Sequence, residues 1–344
     1  MNSIKDKKEQ KSPIFIVGNS RSGTTMMARI IGNHPDIFTF NEIHFFEQLW
    51  SGYKDREYLS KNESIKLMSR LIHIQREGYY TKINVNKYWV EAADCIESLI
   101  IDQLLPLKIY EGFLNNETQL NGKIIPCEHT PRNVFYISEI IDSFPEVRII
   151  NMIRDPRDVL ISQKNKWKRR YLGDRNTPLY ESIRSWINYH PITISKLWNS
   201  SINAVKKMED CDNILSMKYE DFVSNPVKIL KRICDHLSIS YHNNMLNVSY
   251  VGSSHSKDSE NVFGIQNNIE KWKRSSDLFS DIFICQRITQ RNLAYCNYKE
   301  EQIIFNLFSV VLKYLTFPLK GLLAFLFNLN RMNNILGTLR KRLQ

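Results

Sequence analysis

Two short stretches of this 344-residue chain carry the residue types that hold anions. The first is Gly18-Asn-Ser-Arg-Ser-Gly23-Thr24-Thr25, placed between an apolar run and a helical pattern. A glycine loop at such a junction turns backbone N–H groups and a helix N-terminus toward a negative group. Its glycines are spaced as in nucleotide triphosphatases, but Thr24 stands where those proteins carry lysine, and the basic charge lies inside the loop as Arg21. Such a loop is poorly equipped to transfer a γ-phosphoryl group. It suits a doubly charged, phosphate-like group held by Arg21, Ser22, Gly23, Thr24 and Thr25. The second stretch is Arg154-Asp-Pro-Arg-Asp158 through Ser162, with Ser162 about two turns into a helix. Taken alone it reads as a well-capped helix start. Paired with the first loop, it offers Arg154 and Ser162 to a second anion.

Both stretches need strands to bring them together. Pro13–Val17, Lys123–Cys127, Val147–Ile153 and Asn213–Met217 are short apolar runs that suit buried parallel strands. Helical patterns follow them at Thr24–Asn33, from Pro131 to about Ser143, from Pro156, and at Pro226–Leu237. Asp155 before Pro156 is a strong helix start. Strands alternating with helices predict an α/β fold, a mostly parallel sheet flanked by helices. Open sheets of this kind bind ligands at the C-terminal ends of their strands, which places Arg21 and Arg154 over one cleft.

Composition narrows the function classes. Hydrophobic residues make up 42% of the chain and aromatic ones 11%, which excludes wholesale disorder. Lys and Arg number 47 against 36 Asp and Glu, so an anionic partner or surface is expected. No nucleic-acid module is recognisable. The six cysteines are scattered without a CxxC pair, which predicts reduced thiols and no zinc site. Residues 1–12 read as a flexible Lys-rich tail without a leader, residues 13–300 as one domain, and residues 301–344 as an apolar, basic helical appendage. A cytoplasmic location is the default expectation. Within the appendage, 303–312 and 321–329 are apolar stretches separated by Lys313, Pro318 and Lys320, too interrupted to span a bilayer. They suit either a peripheral seat on an anionic membrane or packing on the core or in a homodimer.

The two anion motifs resemble those of sulfotransferases that use 3′-phosphoadenosine 5′-phosphosulfate (PAPS). Ile16–Thr25 is similar to the family's 5′-phosphosulfate loop, and Ile149–Ser162 to its 3′-phosphate site, with Arg154 and Ser162 on the matching positions. Asn33–Ile37 with Asn41–Phe46 resembles the segment carrying the catalytic glutamate in carbohydrate and tyrosylprotein members, and Glu128-His-Thr-Pro131 a Glu-Lys-Thr-Pro stretch. Lys271-Trp-Lys-Arg274 falls where the family places a late basic loop. The resemblance implies the P-loop-like sulfotransferase fold, PAPS as co-substrate without a metal, and Lys273 and Arg274 as further donor contacts. It departs at His129, which stands where many members carry lysine.

Sulfuryl transfer needs in-line oxygens, stabilised charge and a base for the acceptor hydroxyl. Glu42 is the base that the resemblance supports; His44 and His34 compete on chemistry alone. Arg21 and His129 are expected beside the transferring group. The expected function is sulfuryl transfer to a hydroxyl-bearing acceptor, a carbohydrate or lipid-linked glycan. The alternatives are a nucleotide-dependent kinase and a non-catalytic membrane-associated protein of the same fold.

Overall fold

The protein is described by a computed structural model over residues 11–50, 58–99, 104–172, 177–248, 268–329 and 335–343. Five strands, β1 (Ile14–Gly18), β2 (Ile37–Thr39), β3 (Ile125–Glu128), β4 (Arg148–Ile153) and β5 (Ile214–Lys218), form one parallel sheet in the order β2-β3-β1-β4-β5. Four of these match the apolar runs. β2 is too short, at three residues, to have shown one.

The central strand shows why the sheet is buried on both faces. Phe15 and Val17 enter one core with Phe46, Tyr110 and Phe113, whereas Ile14 and Ile16 enter another with Ile30, Met217 and Phe222. Alternate residues of a strand point to opposite faces, so a continuous apolar run supplies both cores.

The helices are α1 (Thr24–Gly32), α2 (Lys61–Glu77), α3 (Trp89–Ser98), α4 (Pro106–Leu120), α5 (Ile137–Ser143), α6 (Pro156–Lys164) and α7 (Leu179–Asn188). They continue as α8 (Pro191–Lys206), α9 (Tyr219–Ser224), α10 (Pro226–Leu237), α11 (Phe279–Tyr295), α12 (Leu307–Asn328) and α13 (Ile335–Leu343). From β1 the chain crosses to β2 on one side of the sheet, and from β4 to β5 on the other. That divergence makes a crevice at the C-terminal ends of β1 and β4. Their register, Val17 opposite Asn151 and Gly18 opposite Met152, brings the loops after the two strands to one level.

The C-terminal appendage differs from two separate apolar stretches. α12 is one 22-residue helix with Pro318 inside it. Lys313, Lys320 and Asn328 face the body: the Lys313 ammonium lies 2.6 Å from the buried Asp281 carboxylate, Lys320 donates to the Tyr189 carbonyl at 3.2 Å, and Asn328 donates to Asn188 at 2.7 Å. Phe308, Leu315 and Leu319 point outward at 77%, 73% and 63% exposure. The tail expected over 1–12 lies almost wholly outside the described residues. All six cysteines are free thiols.

Candidate active site

The first loop is built by two glycines in the left-handed region, where a side chain would strain the backbone. Gly18 has φ +147°, and a Cβ there would lie 2.3 Å from the Met152 carbonyl oxygen; Gly23 has φ +98°, and its Cβ would lie 2.8 Å from the Tyr219 ring. Gly23 caps α1 without a side chain, and no acidic residue lies in the first turn. The α1 N-terminus is therefore open to an anion.

The loop meets the second motif directly. Arg21 donates from Nε to the Ser162 hydroxyl at 2.9 Å, and Arg154 donates to the Arg21 carbonyl at 3.2 Å. Arg154 also lies over the Tyr219 ring, 4.5 Å from its centre. Arg21, Arg154 and Ser162 thus meet at the loop that carries Ser22, Gly23 and Thr24, and Thr25 beside them is exposed. Among the described residues the buried Ser22 hydroxyl and Arg154 Nε have no partner. Orphaned donors beside an uncapped helix start fit a ligand with two phosphate-like groups.

α6 is fixed from both ends of its motif. The Asp155 carboxylate accepts from the Arg157 amide at 2.9 Å and pairs with its guanidinium at 2.7 Å. Asp158 accepts the amides of Glu270 and Trp272 at 2.9 and 3.0 Å, which ties the 271–274 turn to α6. The turn reaches Arg154 through the Asn268 carbonyl, 2.8 Å away. Lys273 and Arg274 are exposed, and the Lys273 ammonium is held by Glu270 at 2.8 Å and Glu301 at 2.9 Å.

Glu42 and His44 form a contact, Oε2 to Nε2 at 3.5 Å. Desolvation pushes the Glu42 carboxyl up, but the His44 hydrogen bond and the charges of His44, His129 and Lys166 outweigh it and hold it at about 2. His129 is buried and lowered, mainly by desolvation, with the Glu42 charge opposing. His34 is a turn residue whose Nδ1 accepts the Asp36 amide at 3.1 Å, away from this role. Glu128 accepts from the Thr130 amide at 3.1 Å and from Asn133 at 2.6 Å, while Thr130 Oγ1 accepts the His44 amide at 3.2 Å. Burial raises the Glu128 carboxyl to about 7. Arg21, His44 and Glu270 all have positive φ, a strain that functional sites concentrate.

In the sequence Lys166 is one charge among several in the basic stretch Lys164–Arg170. It lies in the 3₁₀ segment after α6, where burial and then Arg184, Arg21 and Arg132 lower its ammonium to about 7, against the pull of Glu42. Its proximity to both the donor loop and Glu42 depends on tertiary packing; helical spacing four residues beyond Ser162 is the one signal that could have singled it out.

Residues 13–243 match the family model described as the sulfotransferase family. Sulfotransferase 2A2 of Rattus norvegicus is 27% identical over 154 residues, 45% of this chain and 52% of the relative. The chain spans about half the length of the rat relatives it matches. A putative protein-tyrosine sulfotransferase of Caenorhabditis briggsae is 23% identical over 68% of each chain. The omega-hydroxy-beta-dihydromenaquinone-9 sulfotransferase Stf3 of Mycobacterium tuberculosis is 21% identical over 66% of this chain and 63% of its own. Among solved structures, the sulfotransferase domain from the curacin biosynthetic pathway has 16% identity and a TM-score of 0.46 over 85% of this chain and all of that one.

Proposed function

Since the chain belongs to the sulfotransferase family, we propose that it moves a sulfuryl group from PAPS to the hydroxyl of an acceptor. The observation that carries this reading is the joining of the two anion motifs, Arg21 to Ser162 at 2.9 Å beside Arg154. The uncapped α1 start, Arg21, Ser22, Thr24 and Thr25 hold the 5′-phosphosulfate, and Arg154 with Ser162 the 3′-phosphate. Lys273 and Arg274 are the outer contacts. PAPS supplies a sulfuryl group on a good leaving phosphate. The acceptor oxygen bonds to sulfur as the S–O bond to the 5′-phosphate breaks, and the electron pair leaves with the 3′,5′-bisphosphate. Glu42 takes the hydroxyl proton, directly or through His44. Arg21 and His129 stand by the transferring group, where fixed donors stabilise developing charge.

Acceptor and location belong to the same reading. Carbohydrate and lipid-linked glycan hydroxyls satisfy the chemistry, and an acceptor carried on a lipid suits the outward apolar face of α12. That face supports a peripheral seat on a membrane, with the helix lying along the interface.

The donor site is tested with Arg154→Ala. Removing a charge-assisted contact costs roughly 1.5–3 kcal/mol, so binding of the 3′,5′-bisphosphate falls about tenfold or more by calorimetry while the 5′-monophosphate is little affected. Equal weakening of both ligands, or wild-type preference for a triphosphate, sinks the assignment.

A further inference from the structure

A chamber of about 280 Å³ lies beneath α12 and runs to the donor loop. Gly18, Asn19 and Ser20 line one end, and Phe317, Gly321 and Phe325 of α12 line the roof. Its volume is near the lower end of small-molecule sites, roughly 300–1,000 Å³. Five basic residues, Arg132, Lys166, Arg184, Lys196 and Arg342, line it, and among the described residues no Asp or Glu does. The carboxylates that steady the arginines are buried behind the wall: Glu47 pairs with Arg132 and Arg342, and Glu181 with Arg184. A half-apolar chamber with one-signed charge selects a ligand of opposite sign. Lys166 sits among Arg21, Arg132 and Arg184, so an anion placed there also relieves their mutual repulsion.

The roof is shaped to leave room. A Cβ added at Gly321 meets nothing within 4 Å, although glycine is a poor residue for a helix interior. Glycine at 321 widens the chamber and serves no turn.

We propose that this chamber is the acceptor site and that its acceptor is an anionic amphiphile, a lipid whose head group carries both a free hydroxyl and an acidic group. The proposal rests on the sulfuryl-transfer reading. The head group places its acid among Arg132, Arg184 and Lys196 and its hydroxyl at the Gly18–Ser20 end beside Lys166, whose ammonium faces Glu42. The tail leaves past Phe317 and Phe325, under the helix whose other face is apolar and exposed.

Three probes below their micelle-forming concentrations test this on the full chain by calorimetry: 12-carbon lysophosphatidylglycerol, dodecyl maltoside, and sn-glycerol 3-phosphate. The first binds at least tenfold tighter than the neutral amphiphile and the tail-less head. Gly321→Leu weakens it at least tenfold, with 3′,5′-bisphosphate binding unchanged and a melting temperature no lower than that of the wild type, leucine being the better helix former. Equal binding of the neutral amphiphile, equal binding of the tail-less phosphate, or wild-type affinity in Gly321→Leu overturns the proposal. A separate titration with the bisphosphate isolates the underlying reading: no binding there removes sulfuryl transfer, and the acceptor role with it.

Discussion

At Thr24 the first loop gives up the cation that reaches terminal phosphates, and Arg21 turns instead to Ser162 across the crevice. A loop committed sideways in this manner holds two separated anionic groups better than a chain of three phosphates. The base is the sharper question, because a carboxylate held at about 2 stays ionised but is a weak proton acceptor. Glu42→Gln is expected to lower turnover by roughly 10²–10⁴ with bisphosphate affinity little changed. The pH profile divides the two routes. Glu42 does not titrate between pH 5 and 8, so direct transfer to it adds no pH dependence of its own there. A rate that falls as pH drops, in a manner that His44→Gln abolishes, assigns the proton to His44 with Glu42 orienting it. Near-normal turnover in Glu42→Gln removes the residue from the chemistry. Arg21, Arg154 and Ser162 were legible in sequence because each lies in a contiguous motif with a strand before it. Lys166 and the Asp158 clamp were not, since their roles exist only once segments over a hundred residues apart meet.

The strands were legible for a plain reason: a parallel strand buried on both faces reads as an unbroken apolar run, whereas β2 has three residues and follows a proline. The orientation of α12 was missed because Pro318 and the lysines were read as interruptions. Lys313, Phe317, Lys320, Ala324 and Asn328 recur at helical spacing and form one face, and that face is turned inward. The helix is thus amphipathic in the reverse sense. An unusual stability pattern follows. Lys313→Met leaves the buried Asp281 carboxylate with less compensation, a change of about 1–3 kcal/mol, below the 3–5 kcal/mol of a fully buried pair because the ammonium is partly exposed. Leu315→Glu, on the exposed face, changes stability by less than about 0.5 kcal/mol. On an ordinary surface helix the two effects exchange places. Urea unfolding of both variants decides it, and a destabilising Leu315→Glu beside a neutral Lys313→Met contradicts the packing described.

The whole molecule joins these features into one surface. The tail's basic residues do not simply face a leaflet: Lys313 meets Asp281, Lys341 meets Glu139, and Arg342 meets Glu47. Its one-sided charge is answered mainly by acids of the domain, so cutting the chain at Glu301 would strip partners from buried carboxylates and destabilise the body. The membrane seat proposed above would then rest on the outward apolar stripe of Phe308, Leu315 and Leu319, and on its continuation on α7 as Leu179, Ile183 and Trp186. α7 packs against α12, and Lys320 lies over the Trp186 ring at 4.4 Å, so the two exposed faces adjoin. A tryptophan at the edge of such a patch sits well at the headgroup level. Lys168 and Arg169, on the segment packed against α7, add basic charge nearby, each worth about 1 kcal/mol at an anionic leaflet. The intact protein is therefore expected to sediment with vesicles containing anionic lipid, only partly released by salt because burial of apolar side chains is not screened. Leu315→Glu with Leu319→Glu abolishes sedimentation while bisphosphate binding and melting temperature stay as in the wild type. Undiminished sedimentation of the double variant moves the contact elsewhere. If the wild type ignores the vesicles and instead sediments as a dimer that the double variant dissociates, the stripe is an interface between two copies of the chain.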